Sequence, residues 1–457
     1  MEEEIILLDD KPKTIIDSLA NFDLSFLQTL LYDMGDNPVS VFIWVFLHGG
    51  WIVFLILGWF AFRELWLDAM QTKAQKKKNF VLLAIDIPRM SEQTVKAVEN
   101  MFAHLAGAHS PSSFVEKWFE GKFQDPISME IISHEGHIQY LIRAVAGLRD
   151  LIEASIYAQY PDAEIFEVGD YAEEIPAMWP NSEYELFGTE LVPVKNDVYP
   201  LKTYEDFEHK LTGEYKDPLA AMLEAFSRLG PSERAYFQIL IVPIDQKDFA
   251  VKAAKEIKAL KGEKEPPKRT MADKILDMPM NFLNALAGGL LGGSFAESAK
   301  KDDGKEFKML MMSPGERRKL EFVEKKMSHI QYQCKIRFMY WAKKEHFSKG
   351  KILQSFIGSI KQFNTNDLQA LKPEGKKVGM NGTLLLFKAR RNDGRKRRIV
   401  SGYRNRSTSV GNKTFHLGTD ELASLWHLPM SKDVKAPQLK KTEAKKVEPP
   451  INLPFAS

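Results

Sequence analysis

Cysteine is almost absent: Cys334 is the one thiol in 457 residues. That excludes an intramolecular disulfide framework and a zinc site built on paired thiolates, and it fits a reducing compartment. An excess of one charge is also missing. With 63 basic against 61 acidic side chains the formal charge is +2, so nothing global draws the chain to nucleic acid and any basic site must be local. The 28 glycines and 23 prolines are too few, and 44% hydrophobic residues too many, for a collagen-like or wholly disordered chain. No Walker-type phosphate loop and no HExxH helix occurs. Gly292-Gly293-Ser294-Phe295-Ala296 lacks the second glycine of a nucleophile elbow. His134 and His137 flank Glu135 on an expected turn, which offers no helical face for a metal. Cys334 alternates with apolar residues, the pattern of an inert buried thiol. The expectation is a chain with no catalytic residues, no cofactor and no metal, long enough for two or three domains.

What is present begins with an apolar run at 41–62, 22 residues without Asp, Glu, Lys or Arg, 14 of them Leu, Ile, Val or Phe. As a helix it would reach roughly 33 Å, enough for a hydrocarbon core of about 30 Å. Val41 to Phe62 is therefore expected to be a transmembrane helix, with Trp44, Trp51 and Trp59 along it and Trp44, Trp59 and Trp66 spaced as interfacial anchors. The alternative is a buried helix of a soluble protein. A cleaved signal peptide fits less well, because no basic region precedes the run and no small-residue cleavage site follows it. Residues 1–40 carry nine acids and two lysines, whereas Arg63, Lys73, Lys76, Lys77 and Lys78 follow the run. Positive residues stay inside, so the N-terminus is expected outside and the bulk of the chain in the cytoplasm, as a single-pass protein of the inner membrane. Within 1–40, Ile15, Ile16, Leu19, Phe26, Leu27, Leu30 and Leu31 suggest an amphipathic helix on the membrane surface or against a partner's span.

After a basic linker at 63–79, the pattern predicts an α+β domain over 80–170. A strand buried on both faces (80–88) precedes a helix capped by Ser91, with Val95, Val98, Phe102 and Leu105 on one face. A hairpin of alternating residues around 127–142, a second helix bearing Ile152 and Ile156, and a strand at 163–168 complete a β-α-β-β-α-β, ferredoxin-like order. A second α+β domain is expected over 171–430. Its strands are placed at 185–192, 198–202, 236–244 and 332–341, and its helices after Asp217-Pro218, at 248–260, 313–330 and 348–363. These suggest a partial duplication of the first domain, with final strands out of strict order. An insertion at 261–312, rich in Lys and Gly, reads as a mobile lid or a membrane-touching loop. A Lys/Pro-rich tail at 431–457 reads as a flexible tether.

One basic cluster stands out. Lys388, Arg390, Arg391, Arg395, Lys396, Arg397, Arg398, Arg404 and Arg406 place nine positive charges within 19 residues. Asn392-Asp393-Gly394 is a hairpin turn signal, so the expectation is a basic hairpin over 383–403, with Tyr403 as a stacking surface. Such a ribbon would contact phosphates of nucleic acid, or else acidic proteins or lipid head groups.

The segments FVLLAIDIPRMSEQTVKAVENMFAHLAGAHS, IEASIYAQYPDAEIFEV and GTDELASLWHLP extend the reading. They are similar to a membrane-anchored module of uncharacterised function in small-genome bacterial lineages. That module lies N-terminal to, or beside, ATPases of the coupling-protein and HerA-like kind in conjugation and type IV secretion. The resemblance covers nearly all of 40–455. It implies a separately encoded P-loop ring ATPase as partner and a role as anchor and adaptor in DNA or protein export, with a homo-oligomer as a further expectation. Chains of that family often continue from a linker such as 437–454 into the ATPase. This sequence ends at Ser457 without a Walker motif, so nucleotide hydrolysis and its catalytic residues are not carried over. The alternative is a membrane-bound nucleic-acid-binding protein that uses the basic segment 388–406.

Overall fold

The computed structural model describes residues 43–44, 46–86, 93–208, 215–261, 312–380 and 388–428. The segment 1–40, Val41, the expected cap Ser91, almost all of the insertion 261–312 and the tail 431–457 lie outside the described residues. The chain forms two compact units, one from residues 1–77 with 113–122, the other from 78–112 with 123–457.

In the first unit a π turn, Phe46–Gly50, leads into helix α1 (Trp51–Gln75). Leucine, alanine and aromatic residues predominate in α1 over the β-branched Ile52, Val53, Ile56 and Thr72, with Gly58 its one glycine, and Lys73 lies in the last turn, where cations suit the helix dipole. Its uninterrupted apolar run ends at Phe62; beyond it Arg63, Glu64, Asp68 and Lys73 alternate with Leu65, Trp66, Leu67 and Met70. Among the described residues no helix is long and apolar enough to cross a membrane, so the span expected at 41–62 is not found there as one helix. From Trp51 to Phe62 every described side chain is exposed, Leu55 by 61% and Trp59 by 64%. A short helical turn, Glu116–Glu120, packs on α1: the Trp66 indole donates to the Trp118 carbonyl at 2.9 Å. Gly121 adopts φ 69°, and any Cβ there would lie 2.3 Å from the Met70 carbonyl oxygen. Only glycine permits that approach.

The second unit is built on one antiparallel sheet. Its first half runs β1 (Phe80–Asp86), α2 (Val95–Leu105), β2 (Ile127–His134), β3 (His137–Val145), α3 (Arg149–Tyr157) and β4 (Glu164–Glu167). Its second half runs β5 (Tyr184–Pro193), α4 (Ala220–Ser227), β6 (Arg234–Pro243), α5 (Gln246–Leu260), α6 (Pro314–Ser328), β7 (Gln331–Lys343), α7 (Lys349–Gln362) and β8 (Leu371–Pro373). Helix α8 (Lys388–Arg404), β9 (Phe415–Gly418) and α9 (Thr419–Leu425) complete it. The strand order is β4-β1-β3-β2-β6-β7-β5-β8, with β9 paired to β7. Each half taken alone therefore has its fourth strand beside its first, then its third and its second. The two second strands, β2 and β6, join the halves edge to edge.

This corrects the expectation that the last strands fall out of order. The short β8 completes the second half, and residues 198–202 are not a strand. The two expected domains share one sheet. Strands buried on both faces explain the nearly continuous apolar runs. Val81, Leu83 and Ile85 of β1 face the core beneath α2, α3, α4 and α7, while Leu82 and Ala84 face the opposite core beneath α8.

The basic hairpin is the clearest correction. Residues 388–404 form helix α8, and Asn392-Asp393-Gly394 lies inside it. Arg395, Ile399, Val400, Gly402 and Tyr403 are its buried residues, at helical rather than alternating spacing. Lys and Arg are good helix formers, and the roughly 1 kcal/mol cost of Gly394 is outweighed by burial of Ile399, Val400 and Tyr403 against the sheet.

Residues 418–428, the described part of the segment GTDELASLWHLP, are spent on internal packing. Glu421, fully buried, accepts from the Gly418 amide at 2.7 Å and the Leu201 amide at 2.7 Å, and pairs with Lys326 at 2.8 Å. Trp426 lies edge-on to Phe102 and Tyr140, and His427 meets Asp217 at 3.1 Å.

Candidate functional site

Helix α8 divides the nine basic residues by its geometry. Arg406, Arg395, Lys396 and Arg398 are committed to the fold. Arg406 is sealed in the interior, where it contacts Glu130 at 3.1 Å and grips both oxygens of Asp170 at 2.5 and 2.7 Å. Glu130 also accepts from Ser128, Tyr171 and Gln238. Burial alone would raise the Glu130 carboxyl, but the charge and hydrogen bonds of Arg406 outweigh it and hold the group below its ordinary range. Arg395 donates to the Gly379 and Lys376 carbonyls at 3.1 and 2.8 Å, and Arg398 to that of Lys377 at 3.0 Å. Lys396 pairs with Glu185.

The loop after α8 is equally fixed. The buried Arg337 donates to the carbonyls of Gly402, Ser407 and Val410 and pairs with Glu190 at 3.2 Å. Lys335, pushed down to about 8 by burial, holds Thr408 and Val410. Gly411, at φ 99°, makes room for the Glu190 carboxylate.

The remaining basic residues form no ion pair among the described residues. Lys388, Arg390, Arg391 and Arg397 are exposed. Arg390, Arg397 and Arg404 recur every seven residues and so share one face of α8, about 10 Å apart along the axis. Arg397 and Arg404 line a cleft of about 420 Å³ together with Arg143, Asp170, Glu173 and Ser401. Arg143 comes from the middle of β3, where its guanidinium stacks on Phe80 at 4.1 Å and lies 3.9 Å from Asp170. Among the described residues it donates no hydrogen bond. Burial and the neighbouring Arg406 charge depress its pKa. The side chain of Arg404 makes no ion pair or hydrogen bond with the described residues, and Arg397 reaches only its own helix, at 3.5 Å from the Asp393 carbonyl. Sequence reasoning missed Arg143; its signal was a lone arginine among apolar neighbours in a strand buried on both faces.

The other expected residues fall elsewhere. Trp51, Trp59 and Phe62 are exposed on α1, and Trp59 and Phe62 line an apolar cavity of about 540 Å³ with Trp66 and Trp118. Trp44 lies in the turn of helix before Phe46–Gly50, and Val41 is outside the described residues. Tyr403 is buried rather than available for stacking, its hydroxyl 2.6 Å from that of Tyr171. His134 bonds the Tyr236 hydroxyl at 3.1 Å, and among the described residues no group of His, Cys, Asp or Glu is placed to hold a metal. Cys334 is buried, which pushes its thiol up.

Over residues 71–442 the chain matches a family described as a domain of unknown function, DUF8128, and it belongs to that family. No curated protein matches the chain.

Proposed function

We propose that this DUF8128 chain is a non-catalytic membrane anchor and adaptor. It holds a separately encoded P-loop ring ATPase of a type IV secretion or conjugation-like export system at the cytoplasmic membrane. The observation that carries the reading is the surface of α1. From Trp51 to Phe62 its described side chains are apolar and exposed on every face. A helix hydrophobic all round belongs in an apolar medium, because leaving each large side chain in water forfeits about 1.5–3 kcal/mol. The π turn Phe46–Gly50 extends the apolar surface toward the N-terminus, and the cationic flank beginning at Arg63 favours the cytoplasmic side for the sheet unit. The two halves of the sheet read as two split-βαβ, ferredoxin-like units fused edge to edge, the second carrying the insertion between its middle strands. A scaffold of that kind presents surfaces without requiring chemistry.

The test is partner localisation. A ring ATPase of that kind, produced together with this chain, should sediment with membranes when the full chain is present and become soluble when residues 43–62 are deleted. An ATPase equally membrane-bound in both cells would refute the adaptor role.

A further inference from the structure

We propose that the cleft between β3 and α8 binds the phosphate or pyrophosphate group of a small ligand, held by Arg143, Arg397 and Arg404. The cleft is lined by sheet-unit residues alone and does not depend on the membrane reading. Three guanidiniums face one space of about 420 Å³, whereas Arg395, Arg398 and Arg406 are consumed by carbonyls or carboxylates. Converging like charges repel, and here the nearest acid, Asp170, is already gripped on both oxygens by Arg406. The planar, multi-donor guanidinium matches phosphate oxygens. Apart from its 3.9 Å ion pair with Asp170, Arg143 donates no side-chain hydrogen bond among the described residues, and it is held in a strand and stacked on Phe80, so little freedom is lost when an anion arrives. Ser401 adds a hydroxyl on the same wall. Glu173 is the opposing feature, an exposed acid at the rim that would repel the same anion.

Titration calorimetry of the full chain in detergent, with pyrophosphate as the probe, tests this. The expected result is saturable binding that weakens as salt rises. Arg397→Gln and Arg404→Gln should each lower affinity about tenfold, and Arg143→Gln at least as much. Glu173→Gln should raise it. Arg390→Gln, on the same helix face but outside the cleft, should leave it unchanged. Arg397 is exposed, so its variant reports binding even if Arg143→Gln impairs folding. Equal affinity for pyrophosphate and ADP would mean that the phosphates alone are read; tighter ADP binding would mean that a nucleoside adds contacts. Absence of pyrophosphate binding overturns the proposal. So does an equal loss in Arg390→Gln, or DNA binding that pyrophosphate does not displace, because each points to a diffuse polyanion surface.

Discussion

Arg406 and Glu130, 276 positions apart in sequence, meet at 3.1 Å with both side chains sealed from water. The pair ties the segment after α8 to a strand of the first half of the sheet, and Asp170 and Tyr171 complete it. Breaking such a pair from one side strands the other charge. Arg406→Met should therefore cost about 3–5 kcal/mol in urea unfolding. Adding Glu130→Gln to it should recover part of that loss, a non-additivity that marks direct coupling. Additive losses would mean that the two groups act independently.

Gly394 separates the two conformations that the basic segment could adopt. In α8 it is helical and a Cβ would meet open space. Gly394→Ala should stabilise the protein by about 0.5–1 kcal/mol, through helix propensity. A hairpin turn requiring positive φ would make the same change destabilising, so the sign of the shift in thermal midpoint decides.

A cluster joins α2 and α9 to the residue that ends α6, through buried Glu99 and Asp420 and half-buried His329. Burial opposes the Glu99 charge, but hydrogen bonds from His329, Tyr204 and Lys96 bring its carboxyl down to about 2. His329 is raised above 6.5, first by its hydrogen bond to Glu99 and further by Asp420, against burial and Lys325. The Glu99 contribution is present above its unfolded value of 4.5 and lost as pH falls toward 2. The His329 contribution is complete below 6.5 and lost as pH rises through its higher folded value. Asp420, raised by burial, also favours the acidic side. Thermal midpoints should therefore fall as pH rises from about 6 to 8, and His329→Gln should flatten that fall. An unchanged slope in the variant would assign the dependence to other groups.

Much of this architecture was legible in the sequence, for physical reasons that differ by element. Strand β1 announced itself by a continuous apolar run that faces two cores, and helix α2 by a helical apolar period: Val95, Val98, Phe102 and Leu105 are all buried. The turn at Glu135-Gly136 was equally local, with both residues at positive φ. Helix α8 was misread because a turn signal at Asn392-Asp393-Gly394 competed with a four-residue spacing, Arg395, Ile399, Tyr403, whose value depends on a sheet formed far away in sequence. The short β8, three residues long, carries too little pattern to be seen alone. The cleft was half visible: Arg397 and Arg404 belong to an obvious basic run, but only the fold brings Arg143 to them.

The proposed anchor also predicts a topology. If α1 is the anchor, a reporter active only after export, fused at the C-terminus, should remain silent, because positive residues such as Arg63 and the lysines after it favour the cytoplasmic side. An active reporter would reverse the orientation.

Membrane retention of the full chain after alkaline carbonate extraction is the most direct test of the anchor. Carbonate strips proteins held by charge and leaves those held in the hydrocarbon. The intact protein should stay in the membrane pellet, and the chain lacking residues 43–62 should move entirely to the supernatant. Complete extraction of the intact protein would contradict the anchor.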